Sequence, residues 1–378
     1  MPDRILVTHT GSLPRPPDLT RMMFAKEDGV PVDRAALAGR IAAAVEEIVD
    51  RQLAAGIDVV NDGEMSKPSY ATYIKDRLHG FGGESQPLKY ADLVEFPELT
   101  KRLLADPGRS HRKTPGCDGP ISVADMEPVH ADIARLKKAL AARPGRAPAG
   151  FMSAASPGVI SLFFANHHYP DHESYLFAIA DAMRSEYQAI ADAGLVLQID
   201  CPDLAMGRHM QFADLDLDHF RRNARLHIEA LNHALSGIPP ERMRLHLCWG
   251  NYEGPHHRDV PLADIIDLVL LARPSGLSFE AANPRHAHEW KLFETVKLPA
   301  GKKVIPGVIE SKSNCIEHPE LVAQRIGRYA SLVGRENVMA GCDCGFGTFV
   351  GLATVEPGVV WAKLASLREG AEIASRLP

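Results

Sequence analysis

The chain has 378 residues, of which 45% are hydrophobic, so it can bury a full core as one large α/β domain or as two average ones. Its formal net charge of -6 provides no broad basic surface, which argues against nucleic acid or an anionic membrane as a partner. The first apolar run is too short for a secretory signal, and nowhere do about 18 apolar residues run together. We therefore expect a cytoplasmic protein without a membrane span.

Eight short β-branched or apolar runs, each followed by a longer amphipathic stretch, predict strands and helices that alternate along a parallel sheet. The predicted strands cover residues 5–8, 57–60, 149–152, 195–199, 243–247, 276–279, 303–309 and 337–340. The predicted helices cover residues 34–55, 172–193, 214–235, 262–272, 284–295 and 319–332. Because a closed barrel of this class needs eight strands, we predict an α/β protein with a single (β/α)8 TIM-barrel domain over residues 1–378.

Residues 62–147 are too numerous for a simple connection between a strand and a helix, and they are rich in glycine, proline and charge. We predict that they form a long insertion of a hairpin and helices after strand two. The expected place for this insertion is the C-terminal, catalytic face of the barrel.

Polar residues follow seven of the eight predicted strands, where the loops of a barrel enzyme form its active face. They are residues 9–12, 61–64, 200–201, 246–248, 280, 310–312 and 342–345. Six cysteines in a chain of this length are more typical of core positions or metal ligands than of a disulfide scaffold.

His246 and Cys248 carry the clearest chemical signal, because side chains two residues apart lie on the same face of a strand. Zinc prefers nitrogen and thiolate donors in a tetrahedron, and Glu280 and Cys344 at neighbouring strand ends would supply two more ligands. A His-x-Cys pair alone is also typical of a core histidine beside a buried cysteine.

These motifs together resemble the C-terminal catalytic barrel of cobalamin-independent methionine synthase. The resemblance runs from residues 8–14 to residues 343–345 and includes, in the family's order, residues 63–64, 198–200, 246–248 and 279–280. It implies a zinc ion held by His246, Cys248, Glu280 and Cys344, with Glu280 displaced by the substrate thiol. Cys342 is the alternative ligand.

The same resemblance implies that Ser12, Glu64 and Asp200 hold the amino-acid end of homocysteine. Coordination to Zn²⁺ would deprotonate the thiol, and the thiolate would then attack the carbon of an alkyl donor in line. The chain departs from the family at three positions. Cys201 follows Asp200 in place of a glutamate, Glu310 replaces a histidine, and Phe163 replaces a tryptophan on the folate side.

These departures leave the alkyl donor open between methyl-folate, methylcobalamin and an epoxide. We predict catalytic roles for Glu310 and Asp200, and substrate contacts by Lys67 and Phe163 besides the three residues named above. Three of these predictions have a plainer alternative. Glu310 could pair with Lys312, Asp200 could cap a turn, and Lys67 could be a solvated surface charge.

Our first hypothesis is a zinc-dependent thiol S-methyltransferase that acts on homocysteine or a related small thiol, because the two carboxylates suit an ammonium group. The alternative is an enzyme similar to epoxyalkane:coenzyme M transferase, which would need Arg15, Lys67 or Lys312 to bind a sulfonate. A third is a barrel that binds a tetrapyrrole or corrinoid without zinc chemistry. The sequence does not decide whether the chain forms a homo-oligomer.

Overall fold

The computed structural model of the protein describes residues 4–85, 88–143, 149–352 and 354–377. Within these ranges, the strands are β1 (Val59–Val60), β2 (Leu78–Ser85), β3 (Pro115–Val123), β4 (Ala149–Ala155), β5 (Val196–Asp200), β6 (Met243–Leu247), β7 (Gly276–Glu280), β8 (Lys303–Ile309) and β9 (Gly341–Cys342). Seven of them form one parallel sheet in the order β1-β4-β5-β6-β7-β8-β9. β2 and β3 form a separate antiparallel pair.

Helices surround this sheet in the described part of the chain. The α-helices are α1 (Pro17–Glu27), α2 (Arg34–Ala54), α3 (Pro97–Leu104), α4 (Pro107–Ser110), α5 (Glu127–Ala141), α6 (Pro157–Phe163), α7 (His172–Asp192), α8 (Leu217–Ala234), α9 (Ile266–Val269), α10 (Pro319–Val333) and α11 (Pro357–Arg376). Short 3-10 helices cover Thr72–Asp76, Leu93–Glu95, Pro202–Leu204, Met206–Arg208, Pro240–Arg242, Leu262–Asp264, Glu289–Glu294 and Arg335–Asn337. None of the helices in the described ranges combines the length and apolarity that a bilayer crossing requires.

The central strands are buried along their whole length, as expected for a parallel sheet that helices cover. Every residue of β6 and β7 is buried. α7 shows how the sequence specifies its helical neighbours: Asp171 caps its first turn by accepting a hydrogen bond from the Ser174 N–H, and Gly194 follows its end with φ 87°. Its apolar face packs into the core through Tyr175, Leu176, Ile179, Ala180, Met183, Tyr187 and Ile190.

The predicted first strand is present only as two single bridges. Val7 forms a parallel bridge with Ala340, next to β9, and Thr8 forms one with Val59 of β1. The segment around residues 7–8 therefore contacts both edges of the seven-stranded sheet. The α/β class with a parallel sheet is confirmed.

A buried arginine fastens this first segment to the middle of the sheet. Arg244 of β6 donates hydrogen bonds to the Thr8 hydroxyl at 3.0 Å, to the His9 carbonyl at 2.8 Å and to Gln198 at 2.7 Å. Its guanidinium also lies 3.6 Å from the centre of the Phe151 ring. Burial lowers the pKa of Arg244 to about 9, although the nearby Asp200 opposes this shift.

Two predicted helices are shorter than expected. Residues 284–295 contain the 3-10 helix Glu289–Glu294, and residues 262–272 contain a 3-10 turn followed by α9. Just before the first of these, Asp343 accepts hydrogen bonds from the N–H groups of residues 281, 282 and 283. Glu289, within it, accepts from the Leu262 N–H.

Candidate metal and substrate site

A cavity lies where the carboxyl ends of the parallel strands meet. Its walls come from the first segment of the chain, from the ends of β5 and β6, from the segments that follow β1, β5, β6 and β9, from α6, and from Tyr70, Tyr90 and Arg109 in the predicted insertion. It is lined by Thr10, Ser12, Glu64, Tyr70, Tyr90, Arg109, Phe163, Asp200, Pro202, Met206, His246, Cys248, Asn251, Cys344, Gly345, Thr348 and Phe349.

His246, Cys248 and Cys344 converge at this cavity. One ligand atom from each of the three residues lies within 4.8 Å of the other two, and all three residues are buried. The Nδ1 atom of His246 is buried and has no hydrogen-bond partner among the residues that the structure describes. One imidazole nitrogen and two sulfurs form a donor set that suits zinc, and three protein ligands with an open fourth position are typical of catalytic zinc. The site therefore fits this metal.

The two thiols of this group are electrostatically unequal. A hydrogen bond from the Cys344 thiol lowers the pKa of Cys248 to about 6; burial opposes that shift and His246 reinforces it. Burial and the Cys248 thiolate raise the pKa of Cys344 well above its ordinary value. One sulfur of the pair is therefore already suited to act as an anionic ligand.

Glu280 lies beside this group without joining it. Its Oε1 atom is 3.7 Å from the Cys344 sulfur and accepts a hydrogen bond from the Trp249 N–H at 2.8 Å. Its Oε2 atom accepts from the Lys312 Nζ at 2.6 Å and from the Asn283 side chain at 2.9 Å. Burial opposes ionisation of Glu280, but the Lys312 charge keeps its pKa well below the ordinary value.

Cys342, the alternative ligand, is oriented towards the first segment of the chain. Its sulfur accepts a hydrogen bond from the Thr10 N–H at 3.3 Å and donates to the Cys344 carbonyl at 3.2 Å. It does not belong to the converging group.

The two carboxylates predicted to bind substrate both line the cavity. Glu64 has a left-handed backbone with φ 58°, and Ser153 donates a hydrogen bond to its Oε1 atom at 2.7 Å. Its Oε2 atom is buried and finds no partner within the described ranges. Asp200 ends β5 beside His246, its partner in the register, and accepts from Gln198 at 2.8 Å. Burial raises the pKa of Asp200 to about 7, against the opposing effect of His246.

Ser12 and Phe163, two further predicted substrate contacts, also line the cavity. Phe163 ends α6, and its ring meets the Tyr70 ring edge-on with centroids 5.8 Å apart. Arg112 stacks over both the Phe163 and the Phe349 rings, at 5.3 and 4.9 Å from their centroids. Tyr70, Phe163 and Phe349 thus give the cavity an aromatic wall.

Three predicted cations are held by other protein groups. Arg15 donates to the carbonyls of Gly347, at 2.6 Å, and of Glu64 and Lys67, each at 2.9 Å. Lys67 is buried, donates to the Ser153 carbonyl at 2.5 Å, and does not line the cavity. Lys312 is paired with Glu280.

Glu310 lies outside the cavity lining as well. Its carboxylate accepts hydrogen bonds from the N–H groups of Lys312, at 2.7 Å, and Ser313, at 3.0 Å. It also lies 3.4 Å from the buried Nζ atom of Lys363. The carboxylate thus stabilises the turn that carries Lys312.

No pattern in the sequence pointed to Tyr70, Tyr90 and Arg109, because they belong to the predicted insertion, where no strand or helix periodicity sets the direction of their side chains. Phe349 could have been found, since it follows Cys344 by only five residues on the loop after the last strand.

No protein-family model matches the chain. A methionine synthase from Thermococcus kodakarensis is 24% identical over 370 residues, which cover 97% of this chain and 92% of that protein. A methionine synthase from Saccharolobus solfataricus is 22% identical over 323 residues, or 84% of this chain and 80% of that protein. Among solved structures, a B12-independent methionine synthase from Shewanella sp. W3-18-1 in complex with selenomethionine has a TM-score of 0.73 at 20% identity and covers 98% of this chain and 97% of that one.

Proposed function

We propose, on the premise that this chain is a relative of the cobalamin-independent methionine synthases, that it is a zinc-dependent methyltransferase for homocysteine or a related small thiol. The observation that carries the proposal is the convergence of His246, Cys248 and Cys344 in a cavity that Glu64 and Asp200 also line. The metal site that would generate the thiolate and the carboxylates that would bind the ammonium group therefore line the same cavity.

Zn²⁺, when bound by these three residues, supplies the positive charge that deprotonates a thiol at neutral pH. Glu64 and Asp200 bind the ammonium group of the thiol substrate, and Ser12 contacts its amino-acid end. Binding of this end directs the substrate sulfur towards His246 and Cys248. The thiol is then already oriented when the methyl donor arrives. The methyl carbon then forms its bond to sulfur, while the donor's leaving atom keeps the electron pair of the broken bond.

The aromatic wall is the proposed approach for the methyl donor. Tyr70, Phe163 and Phe349 present apolar surface to the cavity, which excludes water and favours a flat or apolar donor. The donor remains a choice between methyl-folate and methylcobalamin.

The contacts of the three cations predicted to bind a sulfonate favour this function over sulfonate recognition and epoxide opening. Arg15, Lys67 and Lys312 each bind protein carbonyls or a carboxylate, as described above, so none of the three predicted sulfonate ligands is available. Glu64, in contrast, keeps an unsatisfied acceptor beside the cavity.

We also propose that the chain forms one closed (β/α)8 barrel domain over residues 1–378. The bridges of Val7 and Thr8 to the two edges of the sheet support closure. Residues 62–147 then form the insertion after strand two on the C-terminal face, since Tyr70, Tyr90 and Arg109 line the cavity there. The predicted end of this insertion lies outside the described residues.

The test is a product assay with zinc-loaded protein. Homocysteine is incubated with methyl-folate or methylcobalamin, and methionine is measured by mass spectrometry; coenzyme M with an epoxide serves as the parallel assay. We expect methionine from at least one donor, loss of activity after chelation, and recovery when zinc is restored. Thioether formed from the epoxide, with no methionine from either donor, would show the proposal to be wrong.

A further inference from the structure

We propose that Arg109, together with Arg112, binds an acidic group of the methyl donor, a carboxylate or a phosphate that the donor carries apart from its methyl group. This inference rests on the proposed methyl transfer and concerns how the same cavity recognises its second substrate.

Arg109 supplies the positive charge of the cavity wall. Of the described residues that line the cavity, it is the one arginine or lysine. Its backbone N–H donates to the Asp106 carbonyl at 3.0 Å, but no hydrogen bond or ion pair joins its side chain to another residue in the described ranges. A guanidinium remains charged at neutral pH. Arg109 therefore lines the cavity as a cation that the described part of the protein does not neutralise.

The turn that carries Arg109 packs against the loop that carries part of the aromatic wall. A Cβ atom on Gly108 would lie 2.6 Å from the Leu352 nitrogen and 2.9 Å from the Val350 carbonyl oxygen, so this approach requires glycine. Phe349 directly precedes Val350 and lines the same cavity as Arg109. The cation and the ring thus reach the cavity from two segments in close contact.

Arg112 brings a second guanidinium to this wall. It lies over the Phe163 and Phe349 rings, as described above, and its buried Nη1 atom has no acceptor among the residues that the structure describes. The neighbouring His111 anchors the turn, since its Nδ1 atom lies 2.9 Å from the Asp28 carboxylate. A buried donor without an acceptor is costly, and an acidic ligand would satisfy it.

The surroundings of the two cations favour the methyl donor over the thiol as their ligand. Arg112 stacks on two rings of the wall that we propose for the donor, so a donor that lies against these rings brings its acidic group towards a guanidinium. Glu64 and Asp200, which we assign to the ammonium group of the thiol, repel an anion. Methyl-folate carries carboxylates and methylcobalamin carries a phosphate, so both candidate donors meet the requirement.

The test compares Arg109→Gln with Arg109→Lys and with Arg102→Gln, the same change at an exposed arginine of α3. Titration calorimetry without thiol measures the dissociation constants of methyl-folate and methylcobalamin, because no methyl transfer can then occur. We expect the donor to bind about tenfold more weakly to Arg109→Gln. Arg109→Lys should recover part of this loss, since the charge remains. The Arg102 control should keep the wild-type value, and the KM for homocysteine should change by less than about twofold in all variants.

Donor analogues separate recognition of the acidic group from a general effect on the cavity. A methylated tetrahydropterin without the glutamate lacks the carboxylates, and methylcobinamide lacks the phosphate. Wild type and Arg109→Gln should bind these analogues equally. A merely structural arginine would weaken the complete donors and the analogues alike, and that result overturns the inference.

The remaining outcomes distinguish this inference from the proposed function. Equal affinities of wild type and Arg109→Gln for the complete donor would overturn the inference alone. A loss of affinity for homocysteine or coenzyme M in place of the donor would overturn it as well, because the guanidinium would then bind the thiol substrate. Donor binding that depends on Arg109, without any methionine formed, would overturn the proposed function and leave the acidic-group site. Wild-type protein that binds neither donor would overturn both.

Discussion

Ser153 donates a 2.7 Å hydrogen bond to the Oε1 atom of Glu64, and the Oε2 atom of the same carboxylate is buried without a partner in the described part of the chain. The backbone of Glu64 is also strained, because its φ of 58° lies in the left-handed region that residues other than glycine rarely adopt. Strain and unsatisfied groups of this kind concentrate at functional sites. A positively charged group of a substrate would complete the hydrogen bonds of this carboxylate.

Glu64→Gln should therefore raise the KM for homocysteine by about 10- to 100-fold, since a hydrogen bond to a charged group contributes about 1.5–3 kcal/mol. The effect on kcat should be small, because the carboxylate binds the substrate end remote from the reacting sulfur. Steady-state kinetics measure both constants. A thiol acid without the amino group should lose little affinity in the same variant, and Glu253→Gln, at an exposed position, serves as the control.

Cys248→Ser and Cys344→Ser should each abolish stoichiometric zinc, because the removal of one thiolate from a three-residue donor set leaves too few ligands. Elemental analysis of purified protein gives the metal content directly. Cys315→Ser changes an exposed cysteine and should retain about one zinc per chain. Cys342→Ser should retain it as well. Loss of metal in the Cys342 variant, with retention in the Cys344 variant, would instead assign the ligand to Cys342.

Glu310→Gln distinguishes a proton donor from a residue that stabilises a loop. We expect methyl transfer to fall by less than about tenfold, since a general acid in the reaction would contribute about 100- to 10,000-fold. The shape of the pH–rate profile should also stay the same. The comparison variant is Glu320→Gln, at an exposed position of α10. A fall of about a thousandfold in the rate of methyl transfer, with one limb missing from the pH–rate profile, would show that Glu310 is a catalytic residue.

The stability of the protein should fall as the pH drops from about 6.5 to 4, because of His172. Its Nε2 atom lies 2.8 Å from that of His227, whose Nδ1 atom lies 2.9 Å from Asp203. Burial, followed by the charge of His227, lowers the pKa of His172 from 6.5 to about 4. Between these values the unfolded chain binds a proton that the folded chain does not, so unfolding becomes easier as the pH decreases.

His172→Gln should remove this dependence, which we estimate at about 2 kcal/mol across the interval. Urea unfolding at pH 7 and at pH 4.5 measures the change in the free energy of unfolding for wild type and variant. His168→Gln, at an exposed position, should keep the wild-type dependence. An equal loss of stability in all three proteins would assign the effect to other groups.

The parts of the site that could be predicted from sequence depend on local geometry. His246 and Cys248 face the same way because a strand alternates its side chains, and Asp200 reaches the cavity because it ends its strand. These inferences need only a strand and its direction. The similarity of the whole chain to methionine synthases agrees with the family resemblance of the same motifs.

The directions of the long charged side chains could not be predicted in this way. Arg15, Lys67 and Lys312 each lie after a strand end, yet each turns to a partner far along the chain, such as Ser153 for Lys67. Such partners are set by tertiary packing.

The two bridges of the first segment have a consequence for the order in which the protein is built on the ribosome. Thr8 meets Arg244 across 236 positions of sequence, and Val7 waits for Ala340. Residues 7–8 are thus among the later parts of this fold to find their place, because contacts so distant in sequence form slowly. Until residue 340 has emerged, residues 7–8 lack the neighbour on one side.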